Sequence, residues 1–106
     1  MAPFREAGNR YRFQMSLDRD SFLAALAGAV GGEPFDRTEG PGGGLVFTGR
    51  RPASPWTVRA VPLPPLTLGA LTLPRLEVEL DLAGQSAGAA EAFARRFLSH
   101  VQRAGG

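Results

Sequence analysis

The sequence predicts an α+β fold, a two-layer sandwich in which an antiparallel sheet of four to six strands carries two helices on one face. Two segments, 10–17 and 75–82, alternate apolar and polar residues, which is typical of strands with one buried and one exposed face. Two other segments have apolar residues at helical spacing, one directly after the first strand and one at the end of the chain. The predicted order is therefore β-α-β-β-β-β-α.

The first strand, residues 10–17, has one apolar face and one basic face. Its apolar face carries Tyr11, Phe13, Met15 and Leu17. Its basic face carries Arg10 and Arg12. The exposed face of the last strand, residues 75–82, carries three carboxylates instead: Glu77, Glu79 and Asp81. We expect the arginines to lie opposite these carboxylates on neighbouring strands, because facing opposite charges favour one register.

Both helices have start signals, and the first also has a clear stop. Ser16 or Asp18 suits the N-cap of the first helix, and Gly31–Gly32 suits its end. Ser86 suits the N-cap of the last helix. The apolar stripe of that last helix consists of Ala90, Phe93, Phe97 and Val101.

Three extended segments, 34–39, 45–50 and 56–63, occupy the middle of the chain. The sequence GPGGG joins the first two, which favours a loose hairpin. It lacks the lysine and the spacing of a phosphate-binding loop, so we interpret it as a flexible turn. Segment 56–63 is apolar on both faces, which favours a central position in the sheet.

A second hairpin is the strongest local feature of the sequence. Four leucines mirror one another about a Gly69–Ala70 turn: Leu66, Leu68, Leu71 and Leu73. Glycine first in a two-residue turn suits type II′, which places all four leucines on one side. Because the apolar residues after Pro74 change phase, we expect a bulge or bend at Pro74–Arg75. The leucines are then either an exposed contact element or folded over an edge of the core.

We expect a single domain over residues 10–104, preceded by a flexible N-terminal segment, residues 1–9. The chain has 106 residues, of which 43% are apolar, which is enough for one core. No apolar run is long enough to cross a bilayer, and the first residues lack the apolar stretch of a secretory signal. We therefore expect a cytoplasmic protein that does not contact membranes.

The composition excludes several kinds of site. All 12 basic residues are arginine, there is no cysteine, and there is one histidine. Lysine chemistry, thiol nucleophiles, disulfides, thiolate metal sites and three-histidine zinc sites are therefore excluded. We expect no cofactor and no bound metal, and we favour a non-enzymatic role. The bias toward Arg, Gly, Ala and Pro indicates a GC-rich genome.

One side of the last helix is a candidate anion site. It carries Arg96, Ser99, His100 and Arg103. A histidine there would add pH sensitivity, because histidine changes charge near neutral pH. The alternative is an ordinary solvated face, with basic residues favoured near a helix C-terminus.

A second basic cluster lies on two adjoining strands and their link. It comprises Arg50, Arg51, Trp56 and Arg59. Cations together with an aromatic ring are typical of surfaces that bind single-stranded nucleic acid. The alternative is that the lone tryptophan belongs to the core.

Three functions follow from these patterns. The first is a non-enzymatic interaction or assembly domain that forms a homodimer, or binds another protein, through the leucine hairpin. The second is a small apolar-ligand-binding protein with a pocket between the sheet and the helices. The third is a single-stranded nucleic-acid binder that uses the arginine and tryptophan cluster.

Overall fold

The computed structural model describes residues 4–6 and 9–105, which form six strands, two α-helices and a short 3₁₀ turn at Pro41–Gly43. In chain order the elements are β1 (Phe4–Glu6), β2 (Arg10–Met15), α1 (Arg19–Ala29), β3 (Phe35–Glu39), β4 (Leu45–Gly49), β5 (Thr57–Leu68), β6 (Leu71–Asp81) and α2 (Ala87–Gly105). This composition of strands and helices confirms the predicted α+β class.

The strands form one antiparallel sheet in the order β1-β2-β6-β5-β4-β3. The long strands β5 and β6 lie at its centre, as expected for the segment that is apolar on both faces. The structure adds β1 to the predicted element order, paired with β2. Of the segment expected to be flexible, residues 1–3 and 7–8 lie outside the described part of the chain.

The core lies between one face of the sheet and the two helices. Alternate residues of β2, β5 and β6 supply its sheet side, so the period of two in the sequence sets which side chains are buried. The helices supply aromatic rings, and Phe22 of α1 lies 6.2 Å from Phe97 of α2 between ring centroids. Both rings are at most 1% exposed, so replacing either with alanine would cost about 3–5 kcal/mol.

Local hydrogen bonds fix both ends of α1. The N-cap is Asp18, whose Oδ1 accepts the backbone N–H of Ser21 at 2.7 Å. That hydrogen bond lowers the pKa of Asp18, because it stabilises the ionised carboxylate. At the other end Gly32 donates its N–H to the carbonyl of Ala27 at 2.8 Å, and its φ of +75° favours glycine. The predicted start and end of this helix are thus confirmed.

The second helix also begins as predicted. The hydroxyl of Ser86 accepts the N–H of Ala89 at 3.2 Å, just before the first turn of α2. Its buried stripe matches the predicted one: Ala90, Phe93, Phe97 and Val101. An ion pair between Glu91 and Arg95, one turn apart, lies on the exposed side. Capping and apolar spacing therefore position α2 against the sheet.

Candidate functional site

The face of the sheet that points away from the helices, here called the open face, is charged at one end. In the register of β2 and β6, Arg10 lies opposite Asp81, and Arg12 lies opposite Glu79. The closest nitrogen and oxygen atoms of these pairs are 3.6 and 3.9 Å apart. The sequence prediction that these arginines face carboxylates across neighbouring strands is therefore confirmed for two of the three acids.

A third arginine completes this charged end. The Nη1 of Arg59 on β5 donates to Oε1 of Glu79 at 2.9 Å, so one carboxylate links three adjacent strands. Glu77 lies opposite Gln14 on β2 and Val61 on β5 instead of an arginine. Each exposed ion pair is worth only about 0.2–1 kcal/mol, so the charges set register more than stability.

The other end of the open face is apolar and consists of the second hairpin. Pairing of β6 with β2 ends at Leu76, and pairing of β5 with β4 ends at Ala60. Among residues 4–6 and 9–105, the two strands between Leu63 and Arg75 therefore pair only with each other. We call this two-stranded extension, residues 63–75, the leucine arm.

The register of the leucine arm confirms the mirrored pairing read from the sequence. Leu66 lies opposite Leu73, and Leu68 lies opposite Leu71. Gly69 has a φ of +60°, as the first position of a type II′ turn requires. Facing residues in an antiparallel pair share one side of the sheet, so all four leucines lie together.

The predicted bulge is present but lies on the other strand. Leu63 pairs with Arg75 and Leu66 with Leu73, so Pro64–Pro65 of β5 opposes the single residue Pro74 of β6. The expected bulge at Pro74–Arg75 is therefore wrong in position. Strand β6 keeps its alternation through Pro74, which puts its arm leucines on the open face and its later leucines in the core.

The arm leucines are exposed to solvent. Leu66, Leu68 and Leu71 are 39%, 55% and 63% exposed, and Leu73 is half-buried. Of the two placements left open by the sequence, the structure has the exposed one, because the arm extends past the neighbouring strands. An exposed apolar surface of this kind is typical of contact sites.

Prolines and one arginine shape the arm. Pro64, Pro65 and Pro74 have no backbone N–H to offer to another strand, which hinders edge-to-edge pairing with a further chain. The Nε of Arg75 donates to the carbonyl oxygen of Pro64 at 3.0 Å and so fixes the bulge. Contacts of the arm with a partner would therefore use its leucine side chains rather than its strand edges.

A small apolar cavity, here called the glycine niche, adjoins the base of the arm on the open face. Its volume is about 130 Å³. It is lined by Gly40, Pro41, Gly44, Leu45, Val46, Arg59 and Val61. A Cβ on Gly40 would lie 3.3 Å from Cγ2 of Val46, and one on Gly44 would lie 3.2 Å from Cγ2 of Val61. Glycine at these two positions therefore keeps the niche open.

The niche is not predictable from the sequence, in which GPGGG indicates only a flexible turn. The niche depends on the pairing of β4 with β5, which brings Val46 opposite Arg59 and near Val61. Only the packing of the turn against β5 could reveal it. A glycine at each end of a turn, with a valine two residues later in the chain, is a weak signal by itself.

One small cavity lined by described residues lies between α1 and the sheet. The cavity there has a volume of about 10 Å³, roughly enough for one water molecule. Its lining includes Phe22, Ala60 and Leu76. This cavity is far smaller than the pockets that hold small ligands, about 300 Å³ and more. The structure thus offers no support here for an internal ligand pocket.

A wider cleft of about 350 Å³ lies at the opposite end of β5, beside Thr48, Pro55 and Thr57. Its one carboxylate belongs to Asp81, which pairs with Arg10 and accepts the N–H of Ala83. This cleft offers threonine hydroxyls and one carboxylate that is already paired with an arginine. Its lining therefore supplies neither an activated nucleophile nor an available base.

The residues of the predicted nucleic-acid site do not form one surface. Trp56 is 2% exposed and packs in the core, with its ring centroid 5.7 Å from that of Phe93. Arg59 is on the open face, bound to Glu79. The tryptophan is therefore not available for stacking with a base, because its ring is buried in the core.

The other two arginines of that cluster are bound to carboxylates as well. Arg50 donates to Oδ1 of Asp36 from Nε at 3.0 Å and from Nη2 at 2.7 Å, and these bonds raise the pKa of Arg50. The Nε of Arg51 lies 3.8 Å from Oε1 of Glu33. The cluster is thus neutralised locally rather than gathered into a basic patch.

The candidate anion site on α2 faces the other helix. Arg96 lies beside Gly31, with its Cζ 3.2 Å from the position a Cβ would take there and 5.6 Å from the centroid of the Phe93 ring. His100 packs against Gly28, and its Nδ1 is 2.9 Å from the carbonyl oxygen of Arg96. Arg96 and His100 therefore contact α1, although Arg96, like Arg103, is exposed.

No protein-family model, curated protein or solved structure matches the chain. Neither helix in the described part of the chain combines the length and the hydropathy needed to cross a membrane. Among residues 4–6 and 9–105, the side chains of His, Asp and Glu do not gather into a group of three or more that would hold a metal ion. The leucine arm and the glycine niche are thus the features that carry a functional interpretation.

Proposed function

We propose that the protein is a non-enzymatic assembly domain that forms a homodimer through its leucine arm. The observation that carries this proposal is the exposure of Leu66, Leu68 and Leu71 on one side of a hairpin that, in the described part of the chain, pairs with no other strand. We further propose, from the sequence, a cytoplasmic location.

Stability of the arm supports the need for a partner. A two-stranded hairpin in water is at best marginally stable unless its apolar side packs against something. The tip of the arm has the two facing pairs Leu66–Leu73 and Leu68–Leu71, yet Leu66, Leu68 and Leu71 are exposed. Burying these side chains in an interface would stabilise the arm by about 25 cal/mol per Å² of apolar surface removed from water.

A second copy of the chain suits the arm as its partner. Between Val61 and Pro74 the chain has no charged residue, and the charged residue of the arm, Arg75, is held against the carbonyl oxygen of Pro64. The charges at the base are of both signs, with Arg59 and Glu79 facing each other across the β5–β6 seam. An apolar surface can pack against its own copy, and an interface that complements itself is what a two-fold dimer requires.

The proposal is tested with two matched double variants. Leu68→Asp with Leu71→Asp places two carboxylates on the leucine side, and Thr67→Asp with Thr72→Asp places two on the opposite side of the same hairpin. Both changes put like charges on facing positions, so their local cost within one chain is comparable. Light scattering on a sizing column should show a dimer for the parent and the threonine variant and a monomer for the leucine variant. A leucine variant that folds and still forms the parent's dimer would refute the proposal.

A further inference from the structure

We infer that the arm tip of one copy docks in the glycine niche of the other, with Leu68 as the inserted side chain. This inference rests on the proposed homodimer and specifies its geometry. It also assigns a role to the GPGGG turn, whose two outer glycines leave room beside Val46 and Val61.

The niche matches one aliphatic side chain in size and chemistry. An apolar cavity of about 150 Å³ holds a molecule the size of benzene, so a volume of about 130 Å³ suits a single leucine. Its lining is apolar apart from Arg59, whose guanidinium is already bound to Glu79. The niche lining therefore exposes a docked leucine to no unpaired charge, and Glu77, which faces Val61, lies beside the niche on β6.

The donor and the receptor lie on the same face of the same strand. Leu68 lies opposite Leu71, and Val61 lies opposite Glu77. Because Leu71 and Glu77 are six residues apart on β6, Leu68 and Val61 are separated by about 20 Å along the strands. A two-fold axis across the strands at the midpoint, close to Leu73, places the tip of each arm over the niche of the other copy.

Both niches are then filled by the same symmetry operation. Along β5 the leucine side is continuous from niche to tip, because Leu63 and Leu66 lie between Val61 and Leu68, and Arg75 and Glu77 lie beside them on β6. With two open faces packed about 10 Å apart, these intermediate leucines meet near the axis. A second copy covers the exposed leucines and fills the niche together. An unrelated partner would need both a side chain that fits the niche and a pocket that receives Leu68.

The absence of cysteine permits a direct test of this register by cross-linking. The single variants Leu68→Cys and Val61→Cys are mixed, equilibrated to exchange subunits, and treated with a short bismaleimide. Peptide mass spectrometry then identifies which cysteines are joined. Thr72→Cys mixed with Val61→Cys is the control, because Thr72 lies on the opposite side of the arm.

The expected result is a dominant link between Cys at position 68 of one copy and Cys at position 61 of the other, with little product in the control. A dimer in which position 68 links to position 68 would overturn the docking geometry and leave the proposed homodimer intact. A dimer with no link at either position would also overturn it. A parent chain that stays monomeric would refute the homodimer itself, and the docking with it.

Discussion

Leu68 and Leu71 form the last facing pair of the β5–β6 hairpin, and both are more than half exposed, at 55% and 63%. Leucines in such a position are normally covered, either by the chain's own core or by a partner. Here the core ends before them, because β2 and β4 stop pairing at Leu76 and Ala60. Under the proposed homodimer, this pair lies at the centre of the contact between the arm and its partner.

An interface made of leucines resists salt. Raising NaCl from about 0.1 M to about 1 M screens exposed charges but leaves burial of apolar surface intact. We expect the dissociation constant of the dimer, measured by sedimentation velocity, to stay the same or fall. A dissociation constant that rises steeply with salt would instead point to the charged end around Arg59 and Glu79 as the interface.

If the niche receives a leucine of the second copy, we expect a substitution that fills it to weaken the dimer without unfolding the chain. Val46→Trp puts a large ring into the niche. The control is Thr48→Trp, because Thr48 lies two residues further on the same face of β4 and lines the separate cleft. We expect the dissociation constant to rise about tenfold or more for Val46→Trp, which corresponds to about 1.4 kcal/mol. Equal effects of the two substitutions would contradict a role for the niche.

The contact between Gly49 and Trp56 makes a stability prediction independent of assembly. A Cβ on Gly49 would lie 2.6 Å from Cε2 of Trp56, so the indole must move. We expect Gly49→Ala to lower the free energy of unfolding by about 1–3 kcal/mol, as overpacking does in other cores. Urea denaturation followed by the fluorescence of Trp56, the one tryptophan in the chain, measures this change.

The matched control for that change is Gly88→Ala in the first turn of α2, where a new Cβ would meet nothing within 4 Å. Removing a glycine from a helix stabilises it by about 0.4–1 kcal/mol. The two substitutions should therefore have effects of opposite sign. A Gly49→Ala chain as stable as the parent would show that the tryptophan is free to shift.

The N-cap of α1 gives a prediction about pH. The hydrogen bond from Ser21 holds the pKa of Asp18 below its ordinary value of 3.8. The ionised cap therefore stabilises the fold above that value, and this stabilisation is lost as the pH falls toward the lower pKa of the folded state. Asn also caps helices but does not titrate. Between pH 7 and pH 3, we expect the Tm to fall less in Asp18→Asn than in the parent.

The remaining carboxylates titrate in both chains, so only the difference between the two Tm curves reports on the cap. Identical curves would show that the charge of Asp18 contributes nothing. Asp18→Ala, which removes the cap itself, should have a lower Tm than either chain at pH 7.

Several parts of the fold could be predicted because the physical signals are local. Alternation along β2 and β6 identified the buried side chains, and Asp18 and Ser86 marked the helix starts. The turn at Gly69 fixed the register of the hairpin, since a two-residue loop allows one pairing. These signals depend on residues close together in the chain.

Other parts depend on contacts between distant segments and could not be predicted. The extra residue of the bulge lies in β5, at Pro64–Pro65, rather than in β6. Because both strands carry prolines there, the sequence does not indicate which strand contains the bulge. Trp56 reached the core because β4 ends in a glycine that leaves space for the indole. The glycine niche likewise exists only where the turn before β4 meets β5.

The mass of the parent chain in solution tests assembly through the leucine arm most directly. Sedimentation equilibrium over a dilution series should give twice the chain mass of 11.2 kDa at high concentration, with a reversible shift toward 11.2 kDa on dilution. A mass of 11.2 kDa at every concentration would contradict homodimer formation and leave the exposed leucines to a different partner.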